Sequence, residues 1–442
     1  MRVRRHEATA RLTIRAVPDS GGRPTAAVTA AVMVAAGAAV WWWRPAPEPD
    51  ATRPAGVAEP RGQAVAHLLE RRENAVRRGD ERAFLATVDP AAPPDFRDRQ
   101  RHLFRDLTDV PFAEFDYRVD SSEAGTAPDV PGAEESWVPR VALRYALTGV
   151  DIVPTLRPLG YVFARRGGAW YLAADEAPGR RTWRGPWDFD DLVVRRTAQG
   201  MVLGHPGTAA LADRVARQID GTVEQVSEVW GQGWSRRVAV VLPESRAELE
   251  SLVGQEFSGD GIAAVAVADR VDTSARRVEG PRVVLNPRTA ARLSDSALHV
   301  VLQHEITHIA TRADTAEGAP MWMVEGFADY VGYRDSGLIP RDIAPELVRS
   351  VRAHGPPRAL PADADFHATG RTLDLAYQRS WSLVRHLVQR LGEPRAALLY
   401  RRIAASPDPS AVDAALHEIA GMSTEQLVRD WAAELPRTLG SG

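Results

Sequence analysis

The segment His304-Glu305-Ile306-Thr307-His308, followed seventeen positions after its second histidine by Glu325, holds the residue types of a catalytic metal site. On a helix, positions i and i+4 lie on one face, so His304 and His308 can aim two imidazole nitrogens at one point. Zinc accepts such a pair readily, and a catalytic zinc site needs a third protein ligand and an open position for water. Glu325, on a following helix, would supply that carboxylate. Glu305 is too close in sequence to the first histidine to bind the same ion comfortably, but it can reach a water held there and take its proton as general base. Asp329 lies one turn beyond Glu325. That spacing suits a carboxylate that receives the other ring N–H of a liganding histidine and fixes its tautomer.

The stretch before the motif has the marks of a helix that could position it. Ser294 or Asp295 offers an N-cap, and Leu298, Val301, Leu302, Ile306 and Ile309 give a helical apolar period that runs through the motif. The motif is therefore expected on a buried helix. A core helix whose histidines are merely hydrogen-bonded is the plain alternative, but two imidazoles and a glutamate are costly to bury without a shared partner.

The run His304 to His308, then Pro320-Met321-Trp322-Met323-Val324-Glu325-Gly326-Phe327-Ala328-Asp329-Tyr330, resembles the gluzincin metallopeptidases, the thermolysin-like and peptidase-MA-like zinc proteases. In that group the His-Glu-x-x-His helix is followed by a Trp-x-x-Glu-Gly-x-Ala-x-Tyr helix. The resemblance runs from about residue 188 to the C-terminus. It implies Zn2+ held by His304, His308 and Glu325, Glu305 as catalytic base, Asp329 as the carboxylate that orients a histidine, and a peptide or protein substrate. Similar enzymes often carry, on a downstream helix, a Tyr or His that stabilises the tetrahedral oxyanion, which a positioned phenol can do. Tyr377 occupies that region. It reads equally well as one more helix-surface aromatic, and His386 competes for the role. His299 and His367 read as ordinary histidines.

One departure limits the carry-over. Aminopeptidases of this group usually have an upstream Gly-x-Met-Glu-Asn segment whose glutamate binds the substrate's free amine, and this chain has none. Its nearest equivalent, the apolar stretch Gly261 to Ala268, is either an edge strand that pairs with an extended peptide or a buried strand. The expectation is therefore an endopeptidase. The rivals are a zinc-retaining but proteolytically inactive binding or regulatory module, and an amidase acting on cell-wall material.

Composition narrows the alternatives. The 442 residues are 44% hydrophobic, enough for two or three domains with sizeable cores. A net charge of −3, without a basic patch that interleaves aromatics, argues against nucleic acid as a partner. All basic residues are arginine, which reads as codon bias of a GC-rich genome. Cysteine is absent, so disulfides, thiolate ligands and cysteine nucleophiles are excluded, leaving histidine and carboxylate as the metal-binding chemistry. Oligomeric state is not legible.

The N-terminus suggests export. Thr25 to Trp43 is a run of nineteen uncharged residues, long enough at about 1.5 Å per residue to cross most of a bilayer's hydrocarbon core. Arg2, Arg4, Arg5, Arg11, Arg15 and Arg23 precede it against Glu7 and Asp19, so the positive-inside rule puts the N-terminus in the cytoplasm and the remainder outside. Trp41-Trp42-Trp43 suits an aromatic belt. The expectation is a single-pass cell-membrane protein with its catalytic part outside. Ala36-Gly37-Ala38 also permits a cleaved signal peptide and a secreted product.

The expected fold class is α+β: an N-terminal membrane segment, an α+β cone domain resembling nuclear transport factor 2 (NTF2-like), and a gluzincin-type domain of mixed sheet followed by helices. Residues 1–24 read as a disordered cytoplasmic tail, 25–43 as the anchor or signal, and 44–62 as a proline-rich linker. Residues 63–180 form the NTF2-like region, with helices over Ala64 to Arg77 and from Asp80, then strands over Arg140 to Gly149 and Gly160 to Arg165 and a hairpin through Gly167-Gly168. Residues 188–442 form the catalytic region. It has a strand near Leu192 to Arg195, a helix from Ala209 to Trp230, strands at Arg237 to Leu242 and Arg282 to Leu285, and then the two motif helices.

Overall fold

The computed structural model describes residues 60–254 and 263–440. The tail, the nineteen-residue apolar run and most of the proline-rich linker lie outside the described residues. Among the described residues no helix is long and apolar enough to cross a membrane. The fold class is corrected accordingly: the described residues form sheets and helices, and none of them supports the expected membrane segment. The physical reason lies in the longest helices, of 22 and 21 residues: both carry charges along one face and apolar residues along the other, as a helix packed against a protein core does.

The N-terminal region is helical first. Pro60–Arg78 (α1) starts within the expected linker, Glu81–Leu85 (α2) is capped by Asp80, whose side chain accepts the Ala83 N–H, and Pro94–Asp109 (α3) follows. Two antiparallel three-stranded sheets come next. Phe112–Ala124 (β1), Pro139–Leu147 (β3) and Thr155–Leu159 (β4) form one in the order β1-β3-β4, and Glu135–Trp137 (β2), Val162–Arg166 (β5) and Ala169–Ala174 (β6) form the other in the order β2-β5-β6. The hairpin read from Gly167-Gly168 is the β5–β6 pair.

A five-stranded sheet is the centre of the molecule. Val193–Arg196 (β7), Gly200–Gly204 (β8), Val238–Val241 (β9), Ala264–Val267 (β10) and Arg282–Leu285 (β13) lie in the order β10-β13-β9-β8-β7, with β8, β9 and β13 parallel and both outer strands antiparallel. Ala209–Trp230 (α4) and Arg246–Val253 (α5) connect the parallel strands, and a small hairpin, Arg270–Asp272 (β11) with Arg277–Glu279 (β12), precedes β13. After it the chain is helical: Pro287–Ala290 (α6), Asp295–Thr311 (α7), Met321–Tyr333 (α8), Pro340–Ile343 (α9), Pro345–His354 (α10), Arg371–Leu391 (α11), Glu393–Ala404 (α12), Pro409–Ala415 (α13) and Thr424–Gly440 (α14).

Strands β8, β9 and β13 are buried on both faces, and alternate residues serve two cores. Val202, Val238, Val240, Val283 and Leu285 face α4 and α7. Met201, Leu203, Ala239, Val241 and Val284 face the N-terminal region, where they meet Leu143, Tyr145, Trp183 and Trp187. The N-terminal region is thus the second cover of the central sheet. Charges fix this contact. The Arg282 guanidinium donates to both Asp151 oxygens, at 2.6 and 2.7 Å, with the two side chains 9% and 1% exposed, while Arg157 and Thr155 both bind Asp269. A cleft of about 1510 Å³ runs between the two regions and reaches the end of β10 at Val267, Ala268 and Asp269.

Removing one member of a buried ion pair leaves the other charge unpaired. Asp151→Ala should therefore lower unfolding stability by about 3–5 kcal/mol in urea titrations, and a further Arg282→Met change should restore most of it. A loss below about 0.5 kcal/mol would show that this pair does not hold the regions together.

Candidate active site

Helix α7 begins as its sequence suggests, with the Ser294 side chain accepting the Ala297 N–H and Asp295 in the first turn. From Ala297 onward nearly every side chain is buried, because α4, α8 and strands β10 and β13 pack around it. Polar groups in the middle of such a helix must find partners inside the protein. Helix α8 supplies them through two close approaches. A Cβ on Gly326 would stand 2.6 Å from the Ser380 carbonyl oxygen of α11, and one on Gly332 would stand 3.2 Å from the Val300 carbonyl oxygen of α7. Glycine at both positions lets α8 lie tightly between α7 and α11.

The result is a convergence of the expected residues. His304 Nε2 and His308 Nε2 are 2.9 Å apart, and each lies 3.5 Å from Glu325 Oε2. His304 Nδ1 is 2.9 Å from Asp329 Oδ1, so that ring donates from Nδ1 and turns its Nε2 lone pair to the common point. His304, Glu305 and Glu325 are fully buried, and His308, 7% exposed, is the member nearest solvent.

The electrostatics of this cluster call for positive charge. Burial alone would depress His304, but its hydrogen bonds to Asp329 and Glu325 push it up to about 10. Burial would likewise raise Glu325, yet His308 and His304 hold it down to about 2. Three carboxylates around two imidazoles thus favour a cation where the three ligand atoms meet. The groups that face these carboxylates are few: His304, His308 and the Tyr377 hydroxyl at Glu325, and the Ala266 N–H of β10 at Glu305, none of them at full hydrogen-bond geometry. Two imidazoles and one carboxylate are the donor set of a catalytic zinc site, so these residues fit the ion that the motif implies.

The oxyanion candidates separate. Tyr377 on α11 is buried with its hydroxyl directed at Glu325, and burial together with Glu325, Asp329 and Glu305 raises its pKa well above that of a free phenol. His386 lies nine residues on, which at 3.6 residues per turn is the opposite face of the helix, and it contacts Glu434 of α14. His299 is 3.4 Å from Thr222, and His367 is exposed in the 363–367 turn. The apolar stretch expected as a strand is β10, at the edge of the central sheet, with Gly261 and Ile262 outside the described residues.

No family profile matches the sequence, and neither does any curated protein. Solved structures do match. The M1 zinc metallopeptidase of Deinococcus radiodurans aligns over 73% of this chain and 61% of its own length at 14% identity and a TM-score of 0.34. Leukotriene A4 hydrolase of Saccharomyces cerevisiae aligns over 73% and 60% at 11% identity and a TM-score of 0.35. M1 zinc metallopeptidases are gluzincins. The chain spans about three fifths of these proteins' length, and a likeness so distant says nothing of substrate.

Gly326 and Gly332 escape a reading that looks for reactive groups. Their signal is a glycine inside an apolar helix, which costs about 1 kcal/mol relative to alanine unless packing requires it.

Asp329→Ala should leave the helices intact by circular dichroism and weaken zinc binding about 10–100-fold in chelator competition. Unchanged affinity would remove Asp329 from the support of His304.

Proposed function

We propose that this chain is a zinc-dependent endopeptidase. The observation that carries the proposal is the convergence of His304, His308 and Glu325 beside a buried, hydrogen-bond-poor Glu305. A zinc ion held there would polarise the scissile carbonyl and lower the pKa of a water towards 7.

Glu305 takes the proton of the attacking water and later hands it to the leaving amine. Burial lifts its carboxyl above the usual carboxylate range, against the pull of His304 and His308, which brings its proton affinity closer to that needed for both transfers. Tyr377, a phenol that burial and the nearby carboxylates hold further from ionisation, keeps its O–H as a donor to the oxyanion that the carbonyl oxygen becomes. Among the described residues strand β10 is an edge strand beside Glu305, and an extended peptide can add to it as a further strand. The lack of an upstream Gly-x-Met-Glu-Asn segment, whose glutamate would hold a free amine, supports cleavage within a chain rather than at its end. An inert structural zinc site would have no use for Glu305, a fully buried carboxylate outside the ligand set, whose burial is costly.

Glu305→Gln should keep one equivalent of zinc and reduce peptide hydrolysis by at least about 10²-fold. A variant that cuts at the parental rate would exclude Glu305 as the base. Tyr377→Phe should lower kcat by about 10²-fold with KM little changed. Peptides with acetylated N-termini should be cleaved as fast as free ones, and a requirement for the free amine would overturn the endopeptidase reading.

A further inference from the structure

One other group of ligand atoms converges among the described residues, and it lies at the joint between the N-terminal region and the central sheet. His102 and Asp106 are four residues apart on α3 and share a face. Asp191 comes from the segment that enters β7. His102 Nε2 lies 3.6 Å from Asp106 Oδ2 and 3.5 Å from Asp191 Oδ1, and all three ligand atoms fall within 4.8 Å of one another. These separations match the 3.5 Å between the imidazoles and the carboxylate of the His304 site.

Asp106 is the informative member. Its side chain is only 4% exposed, and its Oδ1 accepts the Leu192 N–H at 3.1 Å. Its Oδ2, turned towards the other two residues, accepts no hydrogen bond. A buried carboxylate oxygen without a hydrogen bond, beside a second carboxylate, lacks the compensation that burial demands. Asp191 is 72% exposed and His102 35%, so water can complete a coordination shell on the outer side.

We propose that His102, Asp106 and Asp191 bind a second divalent transition-metal ion. One imidazole with two carboxylates suits zinc or manganese, and the imidazole selects against magnesium and calcium. The site is structural. The main-chain carbonyl of Asp191 also faces His205 Nδ1 at 3.2 Å, and His205 Nε2 is held 2.9 Å from Glu248 in the catalytic region. An ion at this point would therefore tie α3 to the loop after β8 and to α5. The simpler competitor is a protonated His102 that pairs with both carboxylates and binds no metal.

The test uses the full chain, stripped of metal, reloaded with zinc chloride, dialysed and assayed by elemental analysis. The parent should retain two equivalents, His102→Ala one, His308→Ala one and the double variant none. Asp191→Ala, at an exposed position that should not disturb folding, should match His102→Ala. In His308→Ala, zinc should raise the melting temperature by roughly 2–4 °C, and adding His102→Ala should remove the rise. A parent that holds one equivalent, lost in His308→Ala and retained in His102→Ala, overturns the second site and leaves the catalytic one standing. Loss in His102→Ala with retention in His308→Ala would do the reverse.

Discussion

Burying charge inside apolar packing is the constraint on which this structure turns. Helix α7 is surrounded by α4, α8 and two strands, yet carries two imidazoles and a carboxylate in its middle turns. In such surroundings a polar group without a partner destabilises the fold. Helix α8 answers with Glu325 and Asp329, and α11 with Tyr377, so the two histidines are enclosed by acceptors and by one phenol. The assembly is overly negative for a hydrocarbon interior, and a cation at the meeting point of the ligand atoms makes it consistent. The cluster's affinity for a cation and the stability of the fold therefore have the same origin.

The same constraint explains why the N-terminal region is more than a spacer. A central sheet with valine and leucine on both faces must be covered twice. The helices of the catalytic region cover one face, and the tryptophans and tyrosines of the preceding region cover the other. The ion pairs Arg282–Asp151 and Arg157–Asp269 connect that region to β13 and to the residues just after β10. Strand β10 is thus held in place from both sides, and the cleft at its end has walls from both regions.

Much of this was legible in the residues. Helix α4 and strand β13 run between the residues expected from apolar periodicity, since long or wholly buried segments carry the strongest pattern. The β5–β6 hairpin was marked by its two glycines. Strand β1 was not, because its second half, Asp120-Ser121-Ser122-Glu123, is polar and partly exposed and shows no alternation to read. Helix α3, dense in arginine and aspartate, was hidden for a similar reason, and the ligand-like pair His102 and Asp106 was hidden with it. The apolar run 25–43 remains a matter of sequence alone.

Local sequence determined the chemistry on offer: which side chains can bind a metal, that two of them share a helix face, and that a further carboxylate stands next to them. It could do so because helical periodicity is a short-range property. Tertiary structure decided the rest. Tyr377 and its lesser competitor His386 sit on one helix, and only the packing of α11 against α8, close enough to need Gly326, turns the first inward and the second away. The sandwiching of the sheet and the meeting of Asp191 with α3 are likewise contacts between segments distant in sequence, set by shape and burial that no local pattern records.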